Sequence, residues 1–369
     1  MWAAHKEWRS MLKMNLNLGD RGYPIYIAPD FSGLGKAMTS ARLAGKVVVV
    51  TDSNVEGFYY TDCIEILTEA GFEATRYVID AGEKSKNLDT LRDIYSCLSG
   101  LMLDRQSTRL ALGGGVTGDI TGFAAATFLR GINFVQVPTT LLAQADSSVG
   151  GKVGVDFEGN KNIIGAFYQP RFVYINVNTL KTLPARELRS GLAETIKHGL
   201  IIDADFYDYV DCNIKKVFNF DVNVLQYLAK MNCSIKGSVV EQDEKDSDLR
   251  AILNFGHTIG HAVESVSEFS LLHGESISIG MMGAYKLAQD MEMIDERTLA
   301  KVAATFEKAG LPVKLPGFDV NKVYDRMFHD KKVKGGKLNF VLPRAIGEVI
   351  QCSIEDEELV KGVLAWLFE

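Results

Sequence analysis

The sequence has no run of about 20 apolar residues, the minimum for a membrane-spanning helix, and its start, MWAAHKEWRSMLKMNLNLG, lacks the continuous apolar core of an export signal. The expected location is therefore the cytoplasm, with a short N-terminal extension. Cysteine is scarce: Cys63, Cys97, Cys212, Cys233 and Cys352 form no CxxC pair. An odd, scattered set fits a reducing compartment and is read as free, buried thiols. Basic charge is not in excess either. A formal net charge of -7 argues against a general nucleic-acid binder, so any anionic ligand must meet locally placed basic residues. Repeats and low-complexity tracts are absent, and a hydrophobic fraction of 47% is ordinary for a globular chain. At 369 residues the chain exceeds what one core usually serves, which predicts two domains with room for a large cleft between them.

From Tyr23 to about Asn176, short β-rich runs (PIYIA, KVVVVTD, ATRYVID, RLALGG, NFVQVP, FVYINV) alternate with helical periodicity such as NVEGFYYTDCIEILTEAG. This pattern predicts a parallel α/β sheet over residues 1–177. From 178 to 369 the character is mainly helical, as in TLPARELRSGLAETIKHGLI and NVLQYLAKMNCSIKGSVVEQ. GKLNFVLPRAIGEVIQCSI reads as a small hairpin before a last helix.

Three features point to chemistry. LALGGGVTGDITGF sets Gly113, Gly115 and Gly118 in the spacing GxGxxG between a strand and a helix, where backbone N–H groups can hold a pyrophosphate. A tight, closely packed turn explains the same glycines. Asp52, at the end of KVVVVTD and ahead of Asn54, suits either an adenosine ribose or the cap of the next helix. Second, cations recur in apolar surroundings: Arg130, Lys152, Lys161, Lys197, Lys236 and Arg250, with Asp146 and Asn162 nearby. As a set they suit a phosphorylated, carboxylated small molecule, although ion pairing within the protein explains any one of them. Third, His257, His261 and His273 fall close together, and Glu194 lies three and four residues ahead of Lys197 and His198. Imidazole and carboxylate are suitable ligands for zinc. Spacing alone nominates His257 and His261, by analogy with HExxH helices, but Thr258 stands where that motif has its catalytic glutamate, which disfavours a metalloprotease.

The longer wording GGGVTGDITGFAAATFLRG, VPTTLLAQADSSVGGK, GNKNIIGAFYQP, TLPARELRSGLAETIKHG, LNFGHTIGHAVE, LLHGESISIGM and DKKVKGGKLNFVLP strongly resembles the 3-dehydroquinate synthases, from about Asn15 to the end. The resemblance implies a dehydroquinate synthase-like fold, with a Rossmann-like N-terminal domain, a helical C-terminal domain, bound NAD, zinc (or cobalt in its place) in the cleft, and a homodimer. It implies conversion of 3-deoxy-D-arabino-heptulosonate 7-phosphate to 3-dehydroquinate and phosphate through transient oxidation, phosphate elimination, re-reduction and aldol closure. Glu194, His257 and His273 match the metal ligands, replacing the spacing-based choice of His261, which matches a residue assisting proton transfer. Arg130, Asp146, Lys152, Asn162, Lys197, Lys236, Arg250, Asn254 and Lys331 match substrate-contacting positions, with Lys332 an ambiguous neighbour. For NAD the matches are Asp52, Asn54, Glu83, Lys86, Gly115, Val116, Asp119, Thr139, Thr140, Lys161 and Thr182.

Two positions depart from the family. Asp246 stands where a glutamate involved in proton handling is usual, and Phe157 where histidine is common. A related sugar phosphate cyclase making an inosose or valiolone is the nearest rival, and SSVGGK with GNKNIIG argues against it. An NAD-dependent polyol dehydrogenase of the glycerol dehydrogenase type would share the architecture but release NADH. A non-catalytic binding protein would not need the whole charged set.

Overall fold

A computed structural model describes residues 11–246, 249–268, 270–328 and 337–369. The N-terminal extension over 1–10, together with Lys331 and Lys332, lies outside the described residues. By its contacts the chain forms two units, Met1–Pro184 with Asn219–Glu241, and Ala185–Phe218 with Gln242–Glu369.

The strands of the first unit are β1 (Leu12–Leu16), β2 (Tyr23–Ala28), β3 (Lys46–Asp52), β4 (Glu73–Ile79), β5 (Thr108–Gly113), β6 (Asn133–Pro138), β7 (Lys152–Phe157), β8 (Asn160–Phe167) and β9 (Phe172–Asn176). Seven of them make one sheet in the order β1-β2-β9-β6-β5-β3-β4, parallel except for the edge pair β1 and β2. The six parallel strands are the six β-rich runs of the sequence. KVVVVTD shows why an unbroken apolar run was needed: Val47 and Val49 face one core with Leu110, Leu112 and Val137, while Val48 and Val50 face the other with Ala111, Ile120 and Phe134. Both faces are covered, so alternation with polar residues disappears.

Two local features were not foreseen. The segment after the π-helical turn Ala143–Ser147 forms an antiparallel hairpin, β7 with β8, carrying Lys152, Lys161 and Asn162. Charged and glycine residues interrupt its alternation, and a Cβ at Gly154 would stand 2.6 Å from Ile164 O, so glycine there is a condition of close pairing. The helix Val222–Gln242 groups with the sheet unit up to Glu241, although the sequence division at 177/178 puts it with the helical half. Lys236 and Cys233 reach Asp146 and Gln144, and Leu16 packs on Gly237. Residues just past 177 are likewise tied to the sheet, with Asn178 Nδ2 donating to Pro29 O at 2.7 Å.

The second unit is mainly helical, with helices Ala185–Ile202, Ala204–Phe218, His257–Val266, His273–Asp290, Glu296–Lys308, Val320–Met327 and Glu357–Phe368. The antiparallel hairpin β10 (Leu338–Ala345) and β11 (Glu348–Ile354) precedes the last helix, as the sequence indicates. Among the described residues no helix is long and apolar enough to cross a membrane. The reading of all five cysteines as buried needs correction: Cys63 and Cys233 are buried, Cys97 and Cys352 partly so, and Cys212 is exposed. Cys212 lies off the stripe of Phe206, Tyr207, Val210, Ile214 and Val217 that its helix turns inward.

Candidate active site

In the helical unit, glycines fix where the candidate metal-ligating side chains stand. A Cβ at Gly274 would overlap the Ser190 carbonyl, which lets the start of His273–Asp290 lie directly against the helix carrying Glu194. A Cβ at Gly280 would overlap Gly256 O, and one at Gly260 would stand 2.9 Å from Ser276 O. Gly256 itself is left-handed (φ 78°) and starts the helix His257–Val266. The two histidine helices therefore meet backbone to backbone.

That packing gathers Glu194, His257 and His273, whose candidate ligand atoms lie within 4.8 Å of one another. Glu194 Oε1 is 3.5 Å from His273 Nε2 and 3.9 Å from His257 Nε2. Ligands of a tetrahedral zinc at about 2.0–2.2 Å stand roughly 3.3–3.6 Å apart, so the Glu194–His273 pair already has that spacing and His257 needs to approach by a few tenths of an ångström for this donor set to fit such an ion. His257 Nδ1 meets Phe255 O at 3.0 Å, which assigns its proton to Nδ1 and leaves Nε2 for Glu194's side. Lys197 ion-pairs with Glu194 Oε2, both side chains being buried. Burial opposes a charge on His273, but the carboxylates of Glu194 and Glu264, 3.5 Å and 3.9 Å from its ring nitrogens, outweigh it and push the imidazole up to about 9. A bound cation would take the place of that proton.

His261 is placed differently. Its ring centroid is 5.0 Å from that of His257 and 6.1 Å from that of His273, and it joins Glu264 and His273 in a second group within 4.8 Å. His198 is wholly buried on the helix of Glu194. Arg250 is buried, its N–H bonded to Asp243 Oδ2 at 3.0 Å and its Nη1 to Glu244 O at 2.8 Å. Asn254 ends the 3-10 turn Leu249–Asn254 just ahead of Phe255. Asp246 is exposed and left-handed (φ 59°).

In the sheet unit, the glycine turn joins β5 to the helix Gly115–Thr127. A Cβ at Gly113 would stand 2.5 Å from Thr117 Oγ1, and one at Gly118 2.7 Å from Gln136 Oε1, so these two glycines serve close packing. At Gly115 the nearest atom is Ser147 Oγ at 3.3 Å. Asp52 Oδ1 accepts from Asn54 N and Val55 N, and Oδ2 accepts from Thr117 Oγ1 at 3.1 Å. The N-cap of the helix Glu56–Glu69 is Val55, without a side-chain cap, so in place of the capping role weighed for it Asp52 closes the turn just ahead of that helix, and its bond from Thr117 ties it to the glycine helix. Thr139 N donates to Gly113 O, Thr140 packs on Gly114, and Thr140 Oγ1 accepts from Ala143 N. Val116 lies in the first turn of the same helix.

Beside this turn, Lys86 pairs with Asp119 at 2.7 Å and Glu83 at 4.0 Å, and Lys161 lies 3.9 Å from Glu83. Burial pushes Asp119 up against the opposing charge of Lys86, while Lys86, itself disfavoured by burial, is held above its usual value by Asp119 and Glu83. The hydroxyl of Thr139 is buried and has no hydrogen-bond partner among the described residues. That donor, at the end of β6 beside the turn of close-packed glycines at a helix N-terminus, fits a nucleotide phosphate. Elsewhere in the unit, Lys236 Nζ bonds Asp146 Oδ1 at 2.8 Å and Asp146 O at 2.6 Å, and Thr182 Oγ1 meets Tyr59 OH at 2.5 Å. Lys152 and Asn162 are exposed on the hairpin, Asn162 N donating to Asp156 Oδ1. Phe157 is exposed where β7 ends, and Arg130 is exposed in the turn after the glycine helix. Sequence reasoning missed Glu264 and Thr117. Glu264 follows His261 by three residues, and that helical spacing was a usable signal.

Comparisons with known proteins identify a family. Residues 76–190 match the family described as 3-dehydroquinate synthase N-terminal, and 191–333 match 3-dehydroquinate synthase C-terminal. The 3-dehydroquinate synthase of Acetivibrio thermocellus is 65% identical over 360 residues, spanning 97% of this chain and 100% of that one. Among solved structures, 2-epi-5-epi-valiolone synthase from Streptomyces hygroscopicus subsp. jinggangensis, with NAD+ and Zn2+ bound, superposes with a TM-score of 0.87 at 27% identity, covering 94% of this chain and 96% of its own. A 2-deoxy-scyllo-inosose synthase complexed with carbaglucose-6-phosphate, NAD+ and Co2+ gives a TM-score of 0.85 at 25% identity, covering 96% and 99%. The cyclases that make other products share the fold at about a quarter identity, whereas identity more than doubles with a synthase of dehydroquinate, and on that ground the chain belongs to the 3-dehydroquinate synthase family.

Proposed function

We propose that this chain converts 3-deoxy-D-arabino-heptulosonate 7-phosphate to 3-dehydroquinate and inorganic phosphate in the cytoplasm, with NAD and a divalent metal, zinc or cobalt, as cofactors. The observation that carries the reading is the convergence of Glu194, His257 and His273 on one point, beside the buried Lys197. When bound, NAD would supply reversible oxidation and the metal Lewis acidity toward the oxygen on the carbon being oxidised.

The chain's own residues have distinct tasks in this reading. Glu194, His257 and His273 hold the metal, and Lys197 orients the Glu194 carboxylate. His261, near but outside that triad, moves a proton at the substrate. The turn from Gly115 through Val116, with Asp52, Asn54, Glu83, Lys86, Asp119, Thr139, Thr140, Lys161 and Thr182, binds NAD. Lys152, Asn162 and Arg130 meet the phosphate, and Asp146, Lys236, Arg250, Asn254 and Lys331 hold the rest of the substrate. Asp246, exposed to solvent, takes the place of the family glutamate.

The reading includes a homodimer. Arg130 follows a thirteen-residue helix that starts at the glycine turn, so at 1.5 Å per residue it stands about 20 Å from that turn. Parallel α/β sheets bind ligands at the carboxyl ends of their strands, the opposite end from Arg130. An Arg130 that binds phosphate therefore serves the site of a second copy.

Phosphate release from the heptulosonate phosphate, followed with and without added NAD and after chelation, is the direct test. NAD and metal should both be required and NAD should not be consumed, because one site oxidises and then reduces. NADH accumulating in step with product would instead indicate a dehydrogenase.

A further inference from the structure

Arg109 is the largest fully buried side chain among the described residues, and it sits in the middle of the sheet on β5, opposite Val48 on β3 and Phe134 on β6. A strand position of this kind ordinarily holds an aliphatic residue. Its Nε, Nη1 and Nη2 are buried and make no hydrogen bond with any described group, so the charge is costly where it stands. What faces it is aromatic: the guanidinium carbon is 5.2 Å from the centroid of Phe128, and Tyr95 and Tyr168 are the nearby hydroxyl-bearing rings.

Phe128 opens a strained turn. Leu129 (φ 51°), Arg130 (φ 65°) and Gly131 (φ 117°) are three successive residues with positive φ, two of them carrying side chains that disfavour it. Such a turn persists only where its surroundings fix it. The Phe128 ring stacks on Tyr95 with centroids 6.4 Å apart and planes 15° apart, and Tyr95 OH bonds Thr127 Oγ1 at 2.5 Å. On the far side Tyr168 OH donates to Ile132 O at 2.7 Å and lies where a Cβ on Gly131 would come within 3.2 Å.

We propose that Arg109 is a positioning residue for substrate binding: its guanidinium, seated on the Phe128 ring, holds the left-handed turn that presents Arg130. The inference rests on the reading of Arg130 as a phosphate-binding residue. It accounts for a buried charge that adds nothing to stability through hydrogen bonds. Arg109 does not touch the substrate, so its removal acts only through Arg130.

The test is a double-mutant cycle on kcat/KM for phosphate release, using Arg109→Met, Arg130→Ala and the double variant, with Tm measured for each. Arg109→Met should fold with an unchanged or raised Tm, since methionine fills the space without a buried charge. Its kcat/KM should fall about tenfold to a hundredfold, the cost of a misplaced binding group. In the Arg130→Ala background the same substitution should have no further effect. Arg109→Lys, which keeps a cation over the ring, should recover part of the loss. If Arg109→Met does not fold, Phe128→Leu takes its place in the cycle, removing the ring and leaving the guanidinium. Full turnover in Arg109→Met, or in Phe128→Leu, beside a crippled Arg130→Ala overturns this inference alone, as does a loss that multiplies with that of Arg130→Ala. Full turnover in Arg130→Ala overturns the reading of Arg130 and this inference with it.

Discussion

At the scale of single residues, NFGHTIGHAVE carries two histidines that sequence spacing treats alike. Four-residue spacing puts both on one helix face, but the face does not say which ring reaches Glu194. The structure separates them: His257 Nε2 is 3.9 Å from Glu194 Oε1, whereas His261 groups with Glu264 and His273. His273 comes from another helix, so no local pattern could pair it with His257. Replacing Glu194, His257 or His273 by Ala should remove both metal and turnover, because two protein ligands hold zinc poorly. His261→Ala should keep roughly one metal per chain and lose most turnover, a loss of about a hundredfold or more typical of a missing proton-transfer group. His198→Ala should keep the metal. Metal analysis of these variants decides between the two arrangements, and metal loss in His261→Ala with retention in His273→Ala would restore the HxxxH pairing.

Elements were the most legible level, and their failures are instructive. The six parallel strands could be read because each is a short apolar run between turn signals, and the β10–β11 hairpin because two β-rich runs flank the turn at Ile346 and Gly347. The β7–β8 hairpin could not, since Lys152, Lys161, Asn162 and two glycines break its period. Tertiary pairing, not local propensity, makes those residues a hairpin. The same limit applies to the glycines of the histidine helices, which look like weak helix formers until the partner helix is present. Gly256, Gly260, Gly274 and Gly280 bring backbones together where a methyl group has no room. Gly280→Ala should therefore destabilise the chain by about 1–3 kcal/mol, well beyond the small gain alanine brings to an isolated helix. Urea denaturation measures this, and metal content should fall in parallel as His257 and His273 separate. Unchanged stability would mean that these helices can part without cost.

For the whole molecule, sequence length and the change of character near residue 177 were enough to expect two domains. They were not enough to place the helix Val222–Gln242, because an amphipathic helix does not announce which core it serves. Assembly was still less legible, since nothing local in TFLRG says whose site its arginine completes. The fold supplies the missing constraint. Arg130 lies one helix length from its own glycine turn, at the wrong end of the sheet for a ligand of that turn. If it binds phosphate on a second copy, two inactive variants with damage in different residues should rescue one another. Arg130→Ala supplies an intact Lys197, and Lys197→Ala supplies an intact Arg130. Exchange of subunits between them at equal concentration gives mixed dimers in half of the molecules, and each mixed dimer has one site complete and one site doubly damaged. Activity should rise from near zero towards about a quarter of the unmutated rate per site, as expected for a closed two-fold assembly. An Arg130 acting within its own chain would leave every site in the mixture damaged, and the mixture would stay as inactive as its parts.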